Sequence, residues 1–141
     1  MPDAEKVYLK DWWLDLQKRH NLANTRFQAD ISGDPVIPSD LFDSILDNLM
    51  ENLRVKTQLE PNLTIVISLY SDMDQLYLTV CDSGSKIPDD KAAAILKEPI
   101  KSDSGLGVGL YQVAQLAKTM GYTLSLSTNR TGNVCFELRN R

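Results

Sequence analysis

The feature that most constrains the fold is an amphipathic segment between residues 41 and 56. At about 100° per residue, its apolar side chains fall within one half of a helix, as is typical of a helix that packs on a core. The segment therefore predicts a core-facing helix, with a capping residue supplied by Pro38-Ser39-Asp40 and an end before Pro61. The apolar positions are Leu41, Phe42, Ile45, Leu46, Leu49, Met50 and Leu53.

Two asparagines, Asn48 and Asn52, lie at the edge of this apolar stripe. Because they are four residues apart, they lie one above the other on the helix surface, beside Ile45. Asparagine is a poor residue for a helix interior, and burying its amide without a partner costs about 1–3 kcal/mol. The pair indicates either a polar ligand or ordinary hydrogen bonds to a neighbouring loop and to solvent, and the spacing does not separate the two.

Composition indicates one compact domain. The chain has 141 residues, and 43% of them are hydrophobic, which is enough to bury a substantial core. A net charge of −4, with basic residues scattered among acidic ones, argues against a nucleic-acid-binding surface. No apolar run approaches the ~20 residues of a membrane span, and the first six residues do not resemble a secretory signal. We therefore expect a cytoplasmic location.

Alternating apolar residues predict two hairpins, and a further strand is expected over Thr25 to Ile31. A second long helix is expected over residues 106–120. Helices packed on one face of a mixed, mostly antiparallel sheet predict a two-layer α/β sandwich. The hairpin strands are expected at residues 63–70, 76–81, 122–127 and 134–138.

The N-terminal segment from Val7 to His20 predicts a short helix that contains Trp12 and Trp13. So aromatic a segment either packs on its own domain or is the end of a longer helix. Cys81 and Cys135 each lie within a predicted strand between apolar neighbours. We expect both cysteines to be small buried hydrophobes without a metal or redox role.

Two further segments contain residues suited to ligand binding. Gly105-Leu106-Gly107-Val108-Gly109 leads into the second long helix, whose first backbone amides could bind a phosphate. Its spacing fits neither the dinucleotide motif nor a P-loop, and a flexible loop with close helix packing also explains it. Asp82-Ser83-Gly84 ends the central strand, where a carboxylate could accept a hydrogen bond from the amine of a flat ring. Asp-Ser-Gly is also an ordinary turn.

Taken in order, these segments resemble the motifs of the ATP-binding catalytic domain of sensor histidine kinases, within the superfamily that includes DNA gyrase, the Hsp90 chaperones and MutL. Asn48 to Asn52 resembles the N box, Asp82 to Gly84 the first glycine box, and Gly105 to Leu110 the second glycine box. Leu96 to Ile100 is a faint version of the F box. The resemblance covers about Thr25 to Leu138, and the combination of motifs is specific.

The resemblance implies a site for ATP and Mg²⁺. Asn52 would bind the Mg²⁺ that bridges the phosphates, and Asn48 would support metal and phosphates, so that both would be catalytic residues. Asp82 would accept a hydrogen bond from the adenine amine, and Gly84 would keep the base pocket open. Residues 86–104 would form a mobile lid. The phosphates would be reached by backbone amides of the second glycine box, which comprises Gly105, Leu106, Gly107, Val108, Gly109 and Leu110.

Asn48 also bears on the reaction. The gyrase, Hsp90 and MutL relatives carry a glutamate at this position, which acts as a base. An amide cannot take a proton from water at neutral pH, so we expect poor ATP hydrolysis. Transfer to a histidine needs no such base, because imidazole is already a nucleophile. The resemblance therefore implies a two-component protein-histidine kinase that transfers the γ-phosphoryl group of ATP.

The chain departs from the family pattern at several positions. Leu53 replaces a small residue, Val55 a basic one, and Lys86 a glycine, and the final hairpin lacks the threonine often found near the adenine. Arg54 and Lys56 point about 100° away from Val55 on either side, so neither is an obvious replacement. These departures keep two alternatives open: a degenerate, non-catalytic nucleotide-binding or docking module, and a serine kinase or ATPase of the same superfamily.

The phosphate acceptor has no candidate within the chain. His20 is the only histidine, it lacks the neighbours of an acceptor motif, and we expect it to be a solvated residue at the end of the first helix. A kinase domain would then act on a separate dimerisation and phosphoacceptor domain, with a response regulator downstream. We accordingly expect residues 1–22 to form a linker helix and residues 23–141 the ATP-binding domain of a larger sensor, which could be membrane-bound.

Overall fold

The structure is a computed structural model that describes residues 5–20, 23–98 and 106–141, without the side chains of residues 106–108. The helices are α1 (Leu9–Arg19), α2 (Ser39–Leu59), α3 (Asp89–Ala94) and α4 (Leu106–Thr119). The strands are β1 (Lys6–Tyr8), β2 (Thr25–Ile31), β3 (Val36–Pro38), β4 (Ile65–Asp72), β5 (Gln75–Asp82), β6 (Tyr122–Arg130) and β7 (Asn133–Asn140).

Five of the strands form one sheet in the order β2-β4-β5-β7-β6. The β2–β4 pair is parallel, and the β4–β5, β5–β7 and β6–β7 pairs are antiparallel. Both predicted hairpins and the strand over Thr25 to Ile31 are therefore confirmed, as is the mixed, mostly antiparallel sheet. The β6–β7 ladder contains one irregularity, between Leu126 and Thr128.

One core lies between the helices and one face of the sheet. In β4, buried residues alternate with more exposed ones, so that Ile65, Ile67 and Leu69 face the helices. All seven predicted apolar residues of α2 are buried in the same core. The prediction of a two-layer sandwich is confirmed. Within the described ranges, no helix is both long enough and apolar enough to cross a membrane.

The start of α2 differs from the sequence prediction. The capping position is occupied by Pro38, and no side chain caps the first turn. The reason is a small second sheet that the sequence analysis missed, in which β1 pairs with β3 and Pro38 lies opposite Lys6. The Ser39 amide donates to the Glu5 carbonyl oxygen at 3.2 Å, so neighbouring backbone supplies a partner for the first turn.

Helix α1 packs on the main core through its two tryptophans. Trp12 meets the ring of Phe42 edge-on at 5.2 Å between centroids, and its indole Nε1 donates to Asp43 Oδ1 at 2.8 Å. Trp13 meets Phe27 in a similar way at 5.8 Å. Of the two alternatives for this segment, the structure therefore shows packing on the same chain. A linker function for residues 1–22 stays a prediction.

The expectation that the two cysteines are separate buried hydrophobes is wrong. Cys81 in β5 and Cys135 in β7 form a disulfide. The ladder places the two residues directly opposite each other, with their Cα atoms 4.1 Å apart. The pairing depends on which strand lies beside β5 and in which register, and neither is encoded in the local pattern around a cysteine.

Candidate nucleotide-binding site

The two asparagines of α2 have different surroundings, although they lie on one edge of the helix. Asn48 is half-buried, and its Nδ2 donates to the Ser44 carbonyl oxygen at 2.8 Å, one turn earlier. Asn52 is also half-buried and lines a small cavity between α2 and the sheet. The core-edge position predicted for both residues is therefore confirmed, while their ligand-binding roles stay predictions.

The cavity beside Asn52 is lined by residues of both the N box and the first glycine box. It is about 40 Å³ in volume, well below the roughly 300–1,000 Å³ typical of ligand pockets. Asp82 lies at the end of β5 and is only 6% exposed. The structure thus brings Asn52 and Asp82 to one cavity, although the bound base of a nucleotide would require more room. The lining residues are Leu49, Asn52, Leu53, Val80, Asp82 and Phe136.

The carboxylate of Asp82 is bound by groups of the protein itself. Its Oδ1 accepts a hydrogen bond from the Gly84 amide at 2.8 Å and forms an ion pair with Lys56 Nζ at 2.9 Å. Lys56 Nζ also donates to the Ser85 carbonyl oxygen at 2.6 Å. A buried carboxylate requires such partners, because leaving its charge unpaired away from water is costly.

Gly84 is closely surrounded by side chains. A Cβ atom at this position would lie 2.8 Å from Leu63 Cδ1, 2.8 Å from Lys56 Cε and 3.0 Å from Asp82 Oδ1. The space that a missing side chain leaves is therefore taken up by Leu63 and Lys56. The Gly84 carbonyl oxygen also accepts from the Gly132 amide at 2.8 Å, which ties the first glycine box to the β6–β7 turn.

The loop after Gly84 is fixed to the end of α2. The Ser85 amide and hydroxyl donate to the two carboxylate oxygens of Glu60 at 2.9 and 2.8 Å. These bonds favour the ionised carboxylate and lower the pKa of Glu60. Further along, Asn129 exchanges two 2.8 Å hydrogen bonds with the backbone of Ile87.

The predicted lid, residues 86–104, is described only in part. Its second residue is Ile87, whose backbone is bound by Asn129, and it contains the short helix α3, which the sequence analysis did not predict. Leu96, the first residue of the proposed F box, packs against the core. The remainder of the lid, from residue 99 onwards, and Gly105 lie outside the described residues.

The second glycine box continues into α4, which begins at Leu106. Leu106, Gly107 and Val108 are in the first turn, followed by Gly109 and the buried Leu110. A Cβ atom on Gly109 would overlap the side-chain oxygen of Asn48. The glycine therefore allows α4 to approach α2 closely, which is the packing alternative that the sequence left open for this run. A phosphate-binding role for its amides stays a prediction.

The family pattern has a basic residue at position 55, where this chain has Val55. Neither Arg54 nor Lys56 replaces that basic residue. Arg54 forms an exposed ion pair with Glu51, through which the pKa of Glu51 is lowered and that of Arg54 raised. Lys56 reaches Asp82 instead. The sequence analysis set Lys56 aside because of its angle on the helix, but the long side chain reaches the sheet from there. No signal in the sequence could have identified this contact, because it depends on how α2 lies over the end of β5.

His20 is not the solvated residue that we expected. Its side chain is 18% exposed, and its Nε2 lies 3.5 Å from Asp47 Oδ1 on α2. The docking of α1 on α2 through the tryptophans carries the end of α1 against α2, which explains the burial. His20 still follows the last turn of the first helix, as predicted.

Several solved structures share the fold of this chain. The catalytic domain of histidine kinase ThkA, in a nucleotide-free form, is 17% identical over 98% of this chain and 95% of that chain, with a TM-score of 0.73. The histidine kinase domain of the E. coli osmosensor EnvZ is 17% identical over 99% and 89%, with a TM-score of 0.69. The mycobacterial sensor histidine kinase MprB is 16% identical over 96% and 97%, with a TM-score of 0.68. The fold is that of histidine kinase catalytic domains.

The sequence itself gives the family. The sequence profile described as "Histidine kinase-, DNA gyrase B-, and HSP90-like ATPase" matches residues 37–140. The chain therefore belongs to this family of ATPases, and the family predicted from the three ordered motifs is confirmed. No curated protein matches the chain in sequence.

Proposed function

We propose that the chain is the ATP- and Mg²⁺-binding catalytic domain of a sensor histidine kinase. The observation that carries this proposal is the convergence of Asn52 and Asp82 on one cavity, in a chain of this ATPase family. In this reading, Asp82 binds the adenine amine at the base end of the site. Asn52 and Asn48, on the same edge of α2, support the metal and the phosphates.

The donor chemistry of α2 fits this ligand. The amide oxygen of Asn52 is the kind of hard oxygen ligand that Mg²⁺ accepts alongside phosphate oxygens and water. When bound, the ion neutralises charge that develops on the transferring phosphoryl group. The chain would contribute orientation of the nucleotide, through Asp82 and the amides at the start of α4, and fixed dipoles at the phosphates.

Asn48 favours phosphoryl transfer over hydrolysis. Its amide has no basic lone pair at neutral pH, and its Nδ2 already donates to the Ser44 carbonyl oxygen. We infer that the acceptor is a histidine on the dimerisation and phosphoacceptor domain of a cytoplasmic kinase, which then passes the group to a response regulator. Sustained ATP turnover by the chain alone would instead favour a serine kinase or ATPase.

The test is calorimetric titration of the chain with Mg²⁺ and the non-hydrolysable analogue β,γ-imido-ATP. The wild type should bind, and Asn52→Ala and Asp82→Asn should each abolish binding. Asp72→Asn is the control, because Asp72 ends β4 and hydrogen-bonds to the exposed Tyr70. Unchanged affinity in both site variants would contradict the proposed site.

The alternative of a non-catalytic module is favoured by a different observation. The base end of the site is closed down to a small cavity, and Asp82 is already paired with Lys56. If the folded wild type gives no heat of binding at millimolar analogue and Mg²⁺, this alternative is supported.

A further inference from the structure

Lys56 contacts both groups that would bind the adenine base in the proposed site, Asp82 and Gly84. Its ammonium group is paired with Asp82, the carboxylate assigned to the adenine amine. Its Cε atom lies in the space beside Gly84, where a Cβ would come within 2.8 Å of it. The side chain of Lys56 therefore occupies the two positions that the adenine base would take in the proposed site, that of its amine beside Asp82 and that of its ring edge beside Gly84.

The pair is shielded from water. The Lys56 side chain is 19% exposed and that of Asp82 only 4%. Charges in such a place attract each other more strongly than on the surface, where ion pairs contribute little. The Ser85 carbonyl oxygen provides Lys56 with a second acceptor, and the carboxylate of Glu60, which binds Ser85, adds negative charge nearby.

We propose that Lys56 is an internal competitor for the base of the nucleotide, so that the base binds only after Lys56 has left Asp82 and the space beside Gly84. This inference rests on the proposed nucleotide site and adds a regulatory contact to it. An exocyclic amine is a neutral donor, whereas the ammonium group of Lys56 adds the attraction between two full charges to its contact with Asp82. The amine therefore does not displace Lys56 without cost.

The consequence is a lower apparent affinity. When only a fraction of the molecules has an open site, the apparent Kd equals the intrinsic Kd divided by that fraction. A residue that holds the site closed in nine-tenths of the molecules would thus weaken binding about tenfold. Lys56 itself has a flexible four-carbon stem, which allows the ammonium group to move to another acceptor when a base enters.

Removing Lys56 separates this proposal from the ordinary role of a lysine at a nucleotide site. A lysine that binds phosphate contributes to affinity, so its loss would weaken binding. A lysine that competes with the base has the opposite effect, and its loss strengthens binding. The sign of the change therefore decides between the two roles.

The experiment compares the wild type with Lys56→Met and Arg54→Met in calorimetric titrations with β,γ-imido-ATP and Mg²⁺. Methionine keeps an unbranched, flexible side chain but removes the charge. Arg54→Met removes a cation two residues away that pairs with Glu51, and so controls for net charge. We expect Lys56→Met to bind about tenfold more tightly than the wild type, and Arg54→Met to bind like the wild type or slightly more weakly.

Each other outcome is informative. Equal or weaker binding by Lys56→Met would overturn the competitor role and leave the proposed function standing. If neither the wild type nor a folded Lys56→Met binds, the proposed function is wrong, and the competitor role with it.

A second measurement covers the case in which Lys56→Met does not fold because Asp82 loses its partner. In the wild type, the NMR signal of the Lys56 ε-methylene group should shift on addition of the same analogue, while that of Lys118 in the last turn of α4 should not. Saturable binding that leaves the Lys56 signal unchanged would overturn the proposal.

Discussion

Gly109 of α4 lies directly against the side-chain amide of Asn48 in α2, so close that a Cβ atom on Gly109 would overlap the asparagine oxygen. The second glycine box and the N box are thus in contact through these two residues. This contact sets the approach of α4 to α2, the two helices on which the phosphate end of the proposed site depends.

The first prediction concerns this contact. Gly109→Ala should destabilise the fold by about 1–3 kcal/mol, the usual cost of overpacking, although alanine alone favours a helix by about 1 kcal/mol. In the Asn48→Ala background the obstacle is gone, and the same substitution should be neutral or stabilising. Urea unfolding of the four proteins in this double-mutant cycle measures the coupling. An equal cost in both backgrounds would show that Gly109 is not held by Asn48.

The second prediction concerns α1. Trp12→Ala should lower the free energy of unfolding by about 3–5 kcal/mol, because it removes the contact with Phe42 and leaves a cavity. Trp12→Phe should cost less than Trp12→Ala, because an aromatic ring still packs on Phe42 and Asp43 still accepts from Arg19. Leu14→Ala is the control, because Leu14 is 58% exposed on the same helix. If Trp12→Ala is as mild as this control, α1 is not docked in solution.

The third prediction is a dependence on pH at the loop of the first glycine box. Hydrogen bonds from Ser85 lower the pKa of Glu60 in the folded state. Its stabilising contribution is therefore complete above the unfolded pKa of about 4.3 and is lost as the pH falls through the lower, folded pKa. Glu60→Gln should be less stable than the wild type at pH 7, and the difference should shrink towards pH 3. A difference that does not change between these two pH values would rule out this role.

The fourth prediction concerns the disulfide. The oxidised chain should contain no thiol that reacts with iodoacetamide after unfolding, and reduction by a dithiol should release two. Because the bond closes a loop with a sequence separation of 54, its loss should lower the free energy of unfolding by about 4 kcal/mol in the loop-entropy estimate. The matched variant is Cys81→Ala with Cys135→Ala, whose stability should not respond to the dithiol. Two reactive thiols in the oxidised chain would contradict the pairing.

The sequence predicted the main sheet and α2 because their signals are local. Alternation along β4 and β5 and the stripe from Leu41 to Leu53 follow directly from the faces that these elements bury. The β1–β3 pair was missed because each strand is only three residues long, too short to show a period.

The sequence was sufficient to predict the motifs of the site but not the contacts between them. The order of the N box and the two glycine boxes was sufficient to identify the family. The pairing of Lys56 with Asp82 depends on how α2 lies over the end of β5, and no spacing along the chain encodes that. The same holds for Cys81 and Cys135, which are 54 residues apart in the sequence, since the register of β5 against β7 is a property of the whole sheet.

The most direct test of the account is an NMR titration of the chain, labelled with ¹⁵N, with Mg²⁺ and β,γ-imido-ATP. A nucleotide site formed by the three motifs predicts saturable shifts of backbone amides in three segments, residues 48–56, 82–87 and 106–110. Amides on the far ends of the β4–β5 hairpin, around Met73, should not move. A folded chain whose spectrum does not change at millimolar nucleotide, or changes only outside the three segments, would contradict the central claim.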